Sequence, residues 1–142
     1  MLWHQNQPAQ YIASVYGVQL PPTVEVTSLH KEEGWDAPLC YGTLKAKNTG
    51  HINPLDAIAN PVNFSPIKNA EETYIAGSKD RDTSVSNLIN DVNQKFKIEK
   101  ASLSSPTLLY QRFAIKGDSI FVVFYDTHTH DLFFYGTMHA SR

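Results

Sequence analysis

The stretch 107–138 constrains the fold most, because it holds the densest apolar sequence of the chain. Within it, residues 119–125, SIFVVFY, are apolar on both alternating faces, which is typical of a central strand covered on both sides of a sheet. A Lys-Gly-Asp turn sequence at 116–118 precedes this segment, and a polar run at 126–131 follows it. The stretch therefore predicts a three-stranded antiparallel meander over 107–138.

One amphipathic helix is predicted over 82–98, where apolar residues follow the three- and four-residue spacing of a single helical face. That apolar stripe consists of Val85, Leu88, Ile89, Val92 and Phe96. A short N-terminal helix is predicted over 8–17, with Pro8 in the first helical position and Gly17 just past the end. The long helix covers one face of the meander. The other face requires a second cover, which is the N-terminal helix, a long loop or a partner molecule.

Two further strands complete the predicted sheet. Residues 23–29, TVEVTSL, alternate β-branched and polar side chains. Residues 39–46, LCYGTLKA, form a second strand, in which Gly42 indicates a bulge or a close backbone approach. These elements predict an α+β fold with an antiparallel sheet of about five strands. A length of 142 residues suits a single globular domain, 1–142.

The segment 47–78 differs from the rest of the chain because it lacks a regular hydrophobic pattern. Asn53 and Asn60 each precede a proline, and such pairs initiate turns. Connections this long are uncommon in compact domains and are usually binding loops, lids or mobile segments. The sequence therefore predicts that this loop takes part in function, with an inert surface loop as the alternative.

Charge and composition narrow the classes of function. The formal net charge is −2, and Lys and Arg are scattered singly apart from a short run between Lys95 and Lys100, so no nucleic-acid binding is expected. No apolar run is long enough to span a membrane, and the first residues lack the pattern of a signal peptide. We expect a soluble protein in the cytoplasm, or in the periplasm if a signal peptide has been removed. The single cysteine, Cys40, is expected to be a small buried hydrophobe.

The polar run DTHTHD at 126–131 is the sharpest candidate for chemistry. Residues two apart on a strand share a face, so His128 and His130 would present two imidazoles to one divalent transition metal, with Asp126 as a further ligand. The same run lies where the hairpin reverses, and Asp, Thr and His also suit a solvent-exposed turn. No cofactor is expected, and a transition metal held by the two histidines is the alternative.

Aromatic residues give the remaining functional signal. Tyr and Trp are enriched at interface hot spots because they bury a large area at a low entropic cost. The candidate partner-binding residues are Trp35, Tyr41, Asn53, Asn60, Phe64 and Tyr74. Tyr110 and Tyr135 are further aromatic residues that the sequence does not assign to the core.

The sequence contains no glycine-rich phosphate loop, nucleophile elbow or zinc-protease motif. The leading hypothesis is a small non-catalytic protein-binding module, such as an inhibitor, immunity or assembly accessory protein of a bacterium or phage, acting through an aromatic surface and the 47–78 loop. Its partner is expected to be another protein, with a second copy of the chain as an alternative. Two other hypotheses stay open. One is a small metal-dependent enzyme using His128 and His130, and the other is a small-ligand-binding domain with a pocket between the sheet and the loop.

Overall fold

The described part of the chain forms an antiparallel sheet of six strands, one of which is only two residues long. The computed structural model describes residues 2–20, 24–32, 38–46, 65–66, 84–102, 104–113 and 119–138. The strands are β1 (Val24–Lys31), β2 (Leu39–Ala46), β3 (Ser65–Pro66), β4 (Leu108–Phe113), β5 (Ile120–Asp126) and β6 (Leu132–Thr137). Their order across the sheet is β1-β2-β6-β5-β4-β3, so the last of the described strands lies between β2 and β5.

The predicted α+β fold is confirmed. The five longer strands match the predicted sheet of about five, and β4, β5 and β6 form the predicted C-terminal meander. β5 is buried from Ile120 to Tyr125 because both of its edges are paired and both of its faces are covered. β3 is the one described part of the predicted loop 47–78, and the turn at 116–118 lies outside the described residues.

The helix α2 (Ser84–Phe96) covers one face of the sheet, as its apolar stripe predicts. The buried residues of this face are Val85, Leu88, Ile89, Val92, Ala101, Leu108, Tyr110, Ile120, Val122, Phe124, Phe133 and Tyr135. The first two residues of the predicted range 82–98 lie outside the described residues. The face of the sheet toward α2 is therefore a continuous apolar cluster that joins the helix to the meander.

The helix α2 ends two residues earlier than predicted, and its last turn explains why. Lys97 adopts a left-handed backbone conformation with φ of 56°. The amide of Ile98 then donates to the carbonyl oxygen of Asn93 at 3.1 Å, which satisfies one of the carbonyls left without a helical partner. The side chain of Ile98 packs against the apolar cluster, so the residue after the turn also anchors the helix end.

The helix α1 (Leu2–Tyr16) covers the opposite face, so the N-terminal helix is the second cover of the central strand. The buried residues of this face are Tyr11, Ile12, Tyr16, Val18, Val24, Cys40, Leu44, Phe121, Val123, Tyr125, Leu132 and Phe134. The prediction that Pro8 occupies the first helical position is wrong, because the helix starts at Leu2. Pro8 lacks an amide donor inside the helix, and Tyr11, Ile12 and Tyr16 after it pack on the sheet. Gly17 ends the helix as predicted, with φ of 73°.

Gly42 and Gly136 form two notches on the face that α1 covers. A Cβ atom on Gly42 would meet the carbonyl oxygen of Ser28 and lie within 2.8 Å of the ring of Phe134. A Cβ atom on Gly136 would lie 2.7 Å from the ring of Tyr16. The two rings thus occupy the space that any other residue would fill. The close backbone approach predicted at Gly42 is therefore present, whereas the bulge lies on the facing strand β1.

Candidate partner-binding surface

A cluster of partly exposed rings lies where β1 and β2 pass the C-terminal end of α2. The ring of Tyr41 stacks on the ring of His30, with centroids 4.7 Å apart and planes 19° apart. The rings of Phe96 and Tyr41 meet edge to face, with centroids 4.8 Å apart. His30 is exposed, and Tyr41, Phe96 and the neighbouring Leu39 are half-buried. We call these four residues the Tyr41 surface.

The ring stack depends on an irregularity in β1. The register between β1 and β2 shifts between Val26 and Ser28, which makes Thr27 the extra residue of a β-bulge. A shift of one residue moves every later side chain to the other side of the sheet. The bulge therefore sets His30 directly across from Tyr41, on the same side of the sheet.

Three hydroxyl groups hold the bulge in place. Thr43 Oγ1 lies 2.6 Å from Thr27 Oγ1 and 2.8 Å from Ser28 Oγ. Ser28 Oγ also accepts a hydrogen bond from the amide of Thr43 at 3.1 Å. Thr27, the extra residue of β1, is therefore bonded to β2. These bonds fix the bulge and with it the side of the sheet on which His30 lies.

An ion pair joins the end of β1 to the end of α2. Glu32 Oε2 lies 3.1 Å from Lys95 Nζ, and Glu32 Oε1 accepts the amide proton of Leu39 at 3.0 Å. The Glu32 side chain is 17% exposed and the Lys95 side chain is 54% exposed, so the pair contributes mainly orientation in partly screening solvent. Glu32 thereby joins the end of β1 to the start of β2, next to the Tyr41 surface.

Tyr135 supports the Tyr41 surface from the core. Its ring lies edge to face with the ring of Tyr41, with centroids 6.4 Å apart. Its hydroxyl donates to Asn93 Oδ1 at 2.5 Å and accepts the amide proton of Ala101 at 3.1 Å. Asn93 Nδ2 donates in turn to the carbonyl oxygen of Ala101 at 2.9 Å. Burial raises the pKa of Tyr135 to about 12, against the opposing effect of the Ala101 and Lys100 amides, so the hydroxyl keeps its proton at neutral pH.

A cleft of about 250 Å³ lies beside the Tyr135 network. It is lined by Ile89, Asn90, Asn93, Glu99, Ala101, Ser102 and Ser104. The hydroxyls of Ser102 and Ser104 are 2.9 Å apart, and Ser102 Oγ accepts the amide proton of Ser104 at 3.3 Å. This cleft separates α2 from the segment that follows it. The small-ligand hypothesis expects its pocket elsewhere, against the 47–78 loop, which lies outside the described residues apart from β3.

Residues 126–131 form the tip of the β5–β6 hairpin. Asp126 Oδ1 accepts hydrogen bonds from the amides of His128 and Thr129, at 2.8 and 3.3 Å, and from the hydroxyl of Thr107 at 2.9 Å. Partial burial raises the pKa of Asp126, but these hydrogen bonds and the nearby His128 together hold the pKa of the carboxyl below its usual value. The Asp126 carboxylate therefore stabilises the turn.

The two histidines of the hairpin tip are exposed. His130 adopts φ of 64°, and its ring stacks along the ring of Tyr125 with centroids 6.3 Å apart. A left-handed residue interrupts the alternation that would set both imidazoles on one face of a strand. Among the described residues, no group of three or more His, Cys, Asp or Glu side chains is arranged to hold a metal ion. The metal site of His128, His130 and Asp126 stays a prediction.

The predicted partner-binding residues fall unevenly on the structure. Tyr41 lies at the centre of the ring cluster. The others lie outside the described residues: Trp35, Asn53, Asn60, Phe64 and Tyr74. Tyr110 and Tyr135 are buried core residues, 4% and 0% exposed, which removes them from the aromatic residues available to a partner. Sequence reasoning missed His30 and Phe96 as members of the site, because they reach Tyr41 from another strand and from the helix.

Cys40 is fully buried on the face that α1 covers. Its Sγ atom lies 3.1 Å from the hydroxyl of Tyr16. Burial raises the pKa of the Cys40 thiol to about 12, although hydrogen bonds from Tyr16 and from the Gly136 amide and the charge of Lys31 act in the opposite direction. The thiol is therefore protonated at neutral pH and packs as the small hydrophobe that the sequence predicts.

Comparison with known protein families, with curated proteins and with solved structures finds no match. Within the part of the chain that the structure describes, no helix has both the length and the apolar character to cross a membrane. Function is therefore inferred from the geometry of the Tyr41 surface and its neighbours.

Proposed function

We propose that this chain is a small non-catalytic protein-binding module, of the kind that acts as an inhibitor, an immunity protein or an assembly accessory protein of a bacterium or phage. Its partner docks on the Tyr41 surface. The observation that supports this most is the stack of His30, Tyr41 and Phe96, whose rings are partly exposed. Aromatic side chains of this kind supply much of the binding free energy at protein interfaces.

Rigidity of the surrounding backbone supports the proposal. The hydroxyl group of Thr43 holds the bulge of β1, and Tyr135 contacts the ring of Tyr41 from the core. Glu32 bonds to both Lys95 and Leu39 at the end of the strand. A surface that is already ordered before binding loses less conformational entropy when a partner docks, so more of the contact energy appears as affinity.

The distribution of polar groups also suits a protein interface. Leu39, Tyr41 and Phe96 provide an apolar centre, and the Glu32–Lys95 ion pair lies at its border. An apolar centre with a polar rim is the usual anatomy of a protein–protein interface.

The 47–78 loop is proposed as a second contact of the partner. Its described residues, Ser65 and Pro66, pair with β4 at the edge of the sheet opposite to β1. The loop and the Tyr41 surface are therefore tested separately. A chain with the loop shortened to a Gly-Ser linker is expected to keep part of its affinity, provided that its thermal melting stays cooperative.

Site-specific photo-crosslinking tests the proposed surface. A photo-reactive amino acid is introduced at the exposed position His30, and the control carries it at the exposed position Thr129 in the hairpin tip. Irradiation in lysate of the source organism is expected to give one discrete adduct from position 30 and none of that mass from position 129. The same adducts from both positions, or none from position 30, would contradict the proposal.

Substitution then measures the contribution of the ring cluster. Tyr41→Ala is expected to weaken binding of the partner identified by crosslinking by about 30-fold or more, as removal of a hot-spot residue does. Phe113→Ala removes another half-buried ring, outside the Tyr41 surface, and is expected to change the affinity less than about threefold. Isothermal titration gives both values, and light scattering shows whether the partner is a second copy. A monomer that forms no adduct but turns over a substrate would refute the proposal.

A further inference from the structure

The cleft beside the Tyr135 network combines an apolar lining with a polar rim. Ile89 and Ala101, each 1% exposed, are its buried members. The exposed residues that line it are Asn90, Glu99, Ser102 and Ser104. Its volume of about 250 Å³ is below the ~300–1,000 Å³ of pockets for drug-sized ligands, so it matches a single side chain better than a cofactor.

Of the described residues that line the cleft, Glu99 alone has a charged side chain. Among the described residues, no hydrogen bond or ion pair engages its carboxylate. The neighbouring Lys100 is directed to the sheet, where its Nζ atom lies 5.6 Å from the centroid of the Phe133 ring. Within the described residues, the rim of the cleft therefore has a carboxylate without an ion-pair partner, together with the hydroxyl oxygens of Ser102 and Ser104.

We propose that this cleft receives an arginine side chain of the partner protein, which deepens the proposed function and rests on it. A guanidinium group has five donors and no acceptor, and its planar fork matches a carboxylate in two parallel hydrogen bonds. Glu99 supplies that carboxylate, and the serine hydroxyls accept the remaining donors. The aliphatic stem of the arginine packs on Ile89 and Ala101, as long basic side chains do on apolar surface.

The cleft exists before any ligand binds. Tyr135 forms hydrogen bonds to both Asn93 and Ala101, and Asn93 bonds to Ala101. These bonds fix the distance between the helix and the segment after it. Asn93 and Phe96 are three residues apart on α2, which makes them neighbours on the helix surface. The cleft and the Tyr41 surface therefore adjoin the same end of α2, and one partner can cover both.

Titration of a blocked arginine into the isotope-labelled full chain tests the cleft directly. The probe is arginine with an acetylated amino group and an amidated carboxyl group, observed by nuclear magnetic resonance. We expect saturable shifts of the amide signals of residues 99–104, with a dissociation constant in the millimolar range typical of one isolated contact. The blocked citrulline, which keeps the shape and lacks the charge, is expected to bind at least about tenfold more weakly.

A matched pair of variants separates the specific contact from general charge. Glu99→Gln is expected to weaken binding of the arginine probe at least about fivefold. Asp91→Asn removes the same charge from an exposed position of α2 outside the cleft, and is expected to change the affinity less than twofold. The proposal is overturned by equal binding of the two probes, by equal losses in the two variants, or by shifts that do not saturate.

The partner identified by crosslinking completes the test and keeps the two proposals distinguishable. Glu99→Gln is expected to weaken its binding at least fivefold, with Asp91→Asn again as the control. If Tyr41→Ala weakens the complex and Glu99→Gln does not, the arginine contact is wrong and the proposed function stands. If neither substitution changes the affinity of the folded protein, the proposed function is wrong as well.

Discussion

The two faces of the sheet are both covered by a helix, but they are held together by different means. On the face of α1, rings fit into glycine notches, with Phe134 over Gly42 and Tyr16 over Gly136. On the face of α2, a regular apolar stripe packs on the sheet, and the hydroxyl of Tyr135 ties the helix to the segment that follows it. One face depends on shape, and the other combines apolar packing with a hydrogen-bond network.

Because of this difference, we expect the stability of the protein and its proposed binding to depend on different faces of the sheet. A face held by close fit tolerates little change, because interiors are packed at crystal-like density and a single added methyl group must displace its neighbours. The α2 face ends in the partly exposed ring of Tyr41 and in the cleft beside Asn93, where side chains reach solvent. We therefore expect the largest stability effects on the α1 face and the largest binding effects on the α2 face.

The substitution with the largest expected effect is Gly42→Ala. Its new methyl group would meet the backbone carbonyl of Ser28, which cannot move without opening the β1–β2 pair. The free energy of unfolding is expected to fall by ~3 kcal/mol or more, measured by urea denaturation. Lys45→Ala, on the same strand but exposed, is expected to change it by less than about 0.5 kcal/mol.

Gly136→Ala adds a methyl group to the second notch and is compared with Gly42→Ala. The methyl group would meet the far end of the Tyr16 ring, which can shift, so a smaller loss of ~1–3 kcal/mol is expected. In a Tyr16→Leu background, the cost of Gly136→Ala is expected to decrease, because the ring that it displaces is gone. Additive losses would show that the notch at Gly136 is not filled by Tyr16.

Cys40→Ala tests the packing of the face that α1 covers, by the pH dependence of the free energy of unfolding. The loss of the buried sulfur, together with the unpaired hydroxyl of Tyr16, is expected to lower the free energy of unfolding by ~2 kcal/mol at pH 7. The thiol pKa is raised from 9.0 to about 12 in the folded state, so the unfolded chain releases this proton first as pH rises. Wild-type stability from this group is therefore complete below pH 9 and is lost between pH 9 and 12. The difference between wild type and variant should shrink in that window, and a constant difference would contradict the buried thiol.

Tyr135→Phe tests the hydrogen-bonded face. The change keeps the ring and leaves Asn93 Oδ1 and the Ala101 amide without this partner, so a loss of ~1–2 kcal/mol is expected. Adding Asn93→Ala to Tyr135→Phe is expected to cost less than Asn93→Ala alone, and thermal denaturation of the four proteins measures the coupling. Strict additivity would mean that the network does not tie the helix to its neighbour.

The smallest expected effect is a gain from Lys97→Gly. Lys97 closes α2 with φ of 56°, a conformation that glycine adopts without the steric cost of a Cβ atom. The free energy of unfolding is expected to rise by ~0.5–1 kcal/mol. Gln94→Gly, three residues earlier inside the helix, is expected to lower it by ~1 kcal/mol. Losses in both variants would show that the end of α2 does not require the left-handed residue.

The local hydrophobic pattern of the sequence predicted the helices and strands. The residues of the Tyr41 surface are brought together by pairing between distant parts of the chain, which that pattern does not reveal. The apolar stripe of α2 and the continuous apolar segment of β5 are periodic signals, and both elements are present in the structure. The start of α1 was predicted wrongly because Pro8 was placed at the first helical position, although packing after Pro8 holds the helix. His30 lies across from Tyr41 because of the bulge at Thr27. The hydroxyl that stabilises this bulge belongs to Thr43 on another strand, so no short-range pattern in the sequence reveals it.

The position of β6 has a consequence for synthesis on the ribosome. The hairpin of β1 and β2 is made well before β6, which is its partner in the sheet. Until residues 132–137 have left the exit tunnel, the edge of β2 that will pair with them has no native partner, and its alternating apolar side chains are available for incorrect pairing. We therefore expect the Tyr41 surface to be completed only after β6 is made, since β6 supplies the Tyr135 neighbour of β2. A nascent chain arrested before β6 is expected to lack partner binding, however well its N-terminal hairpin has formed.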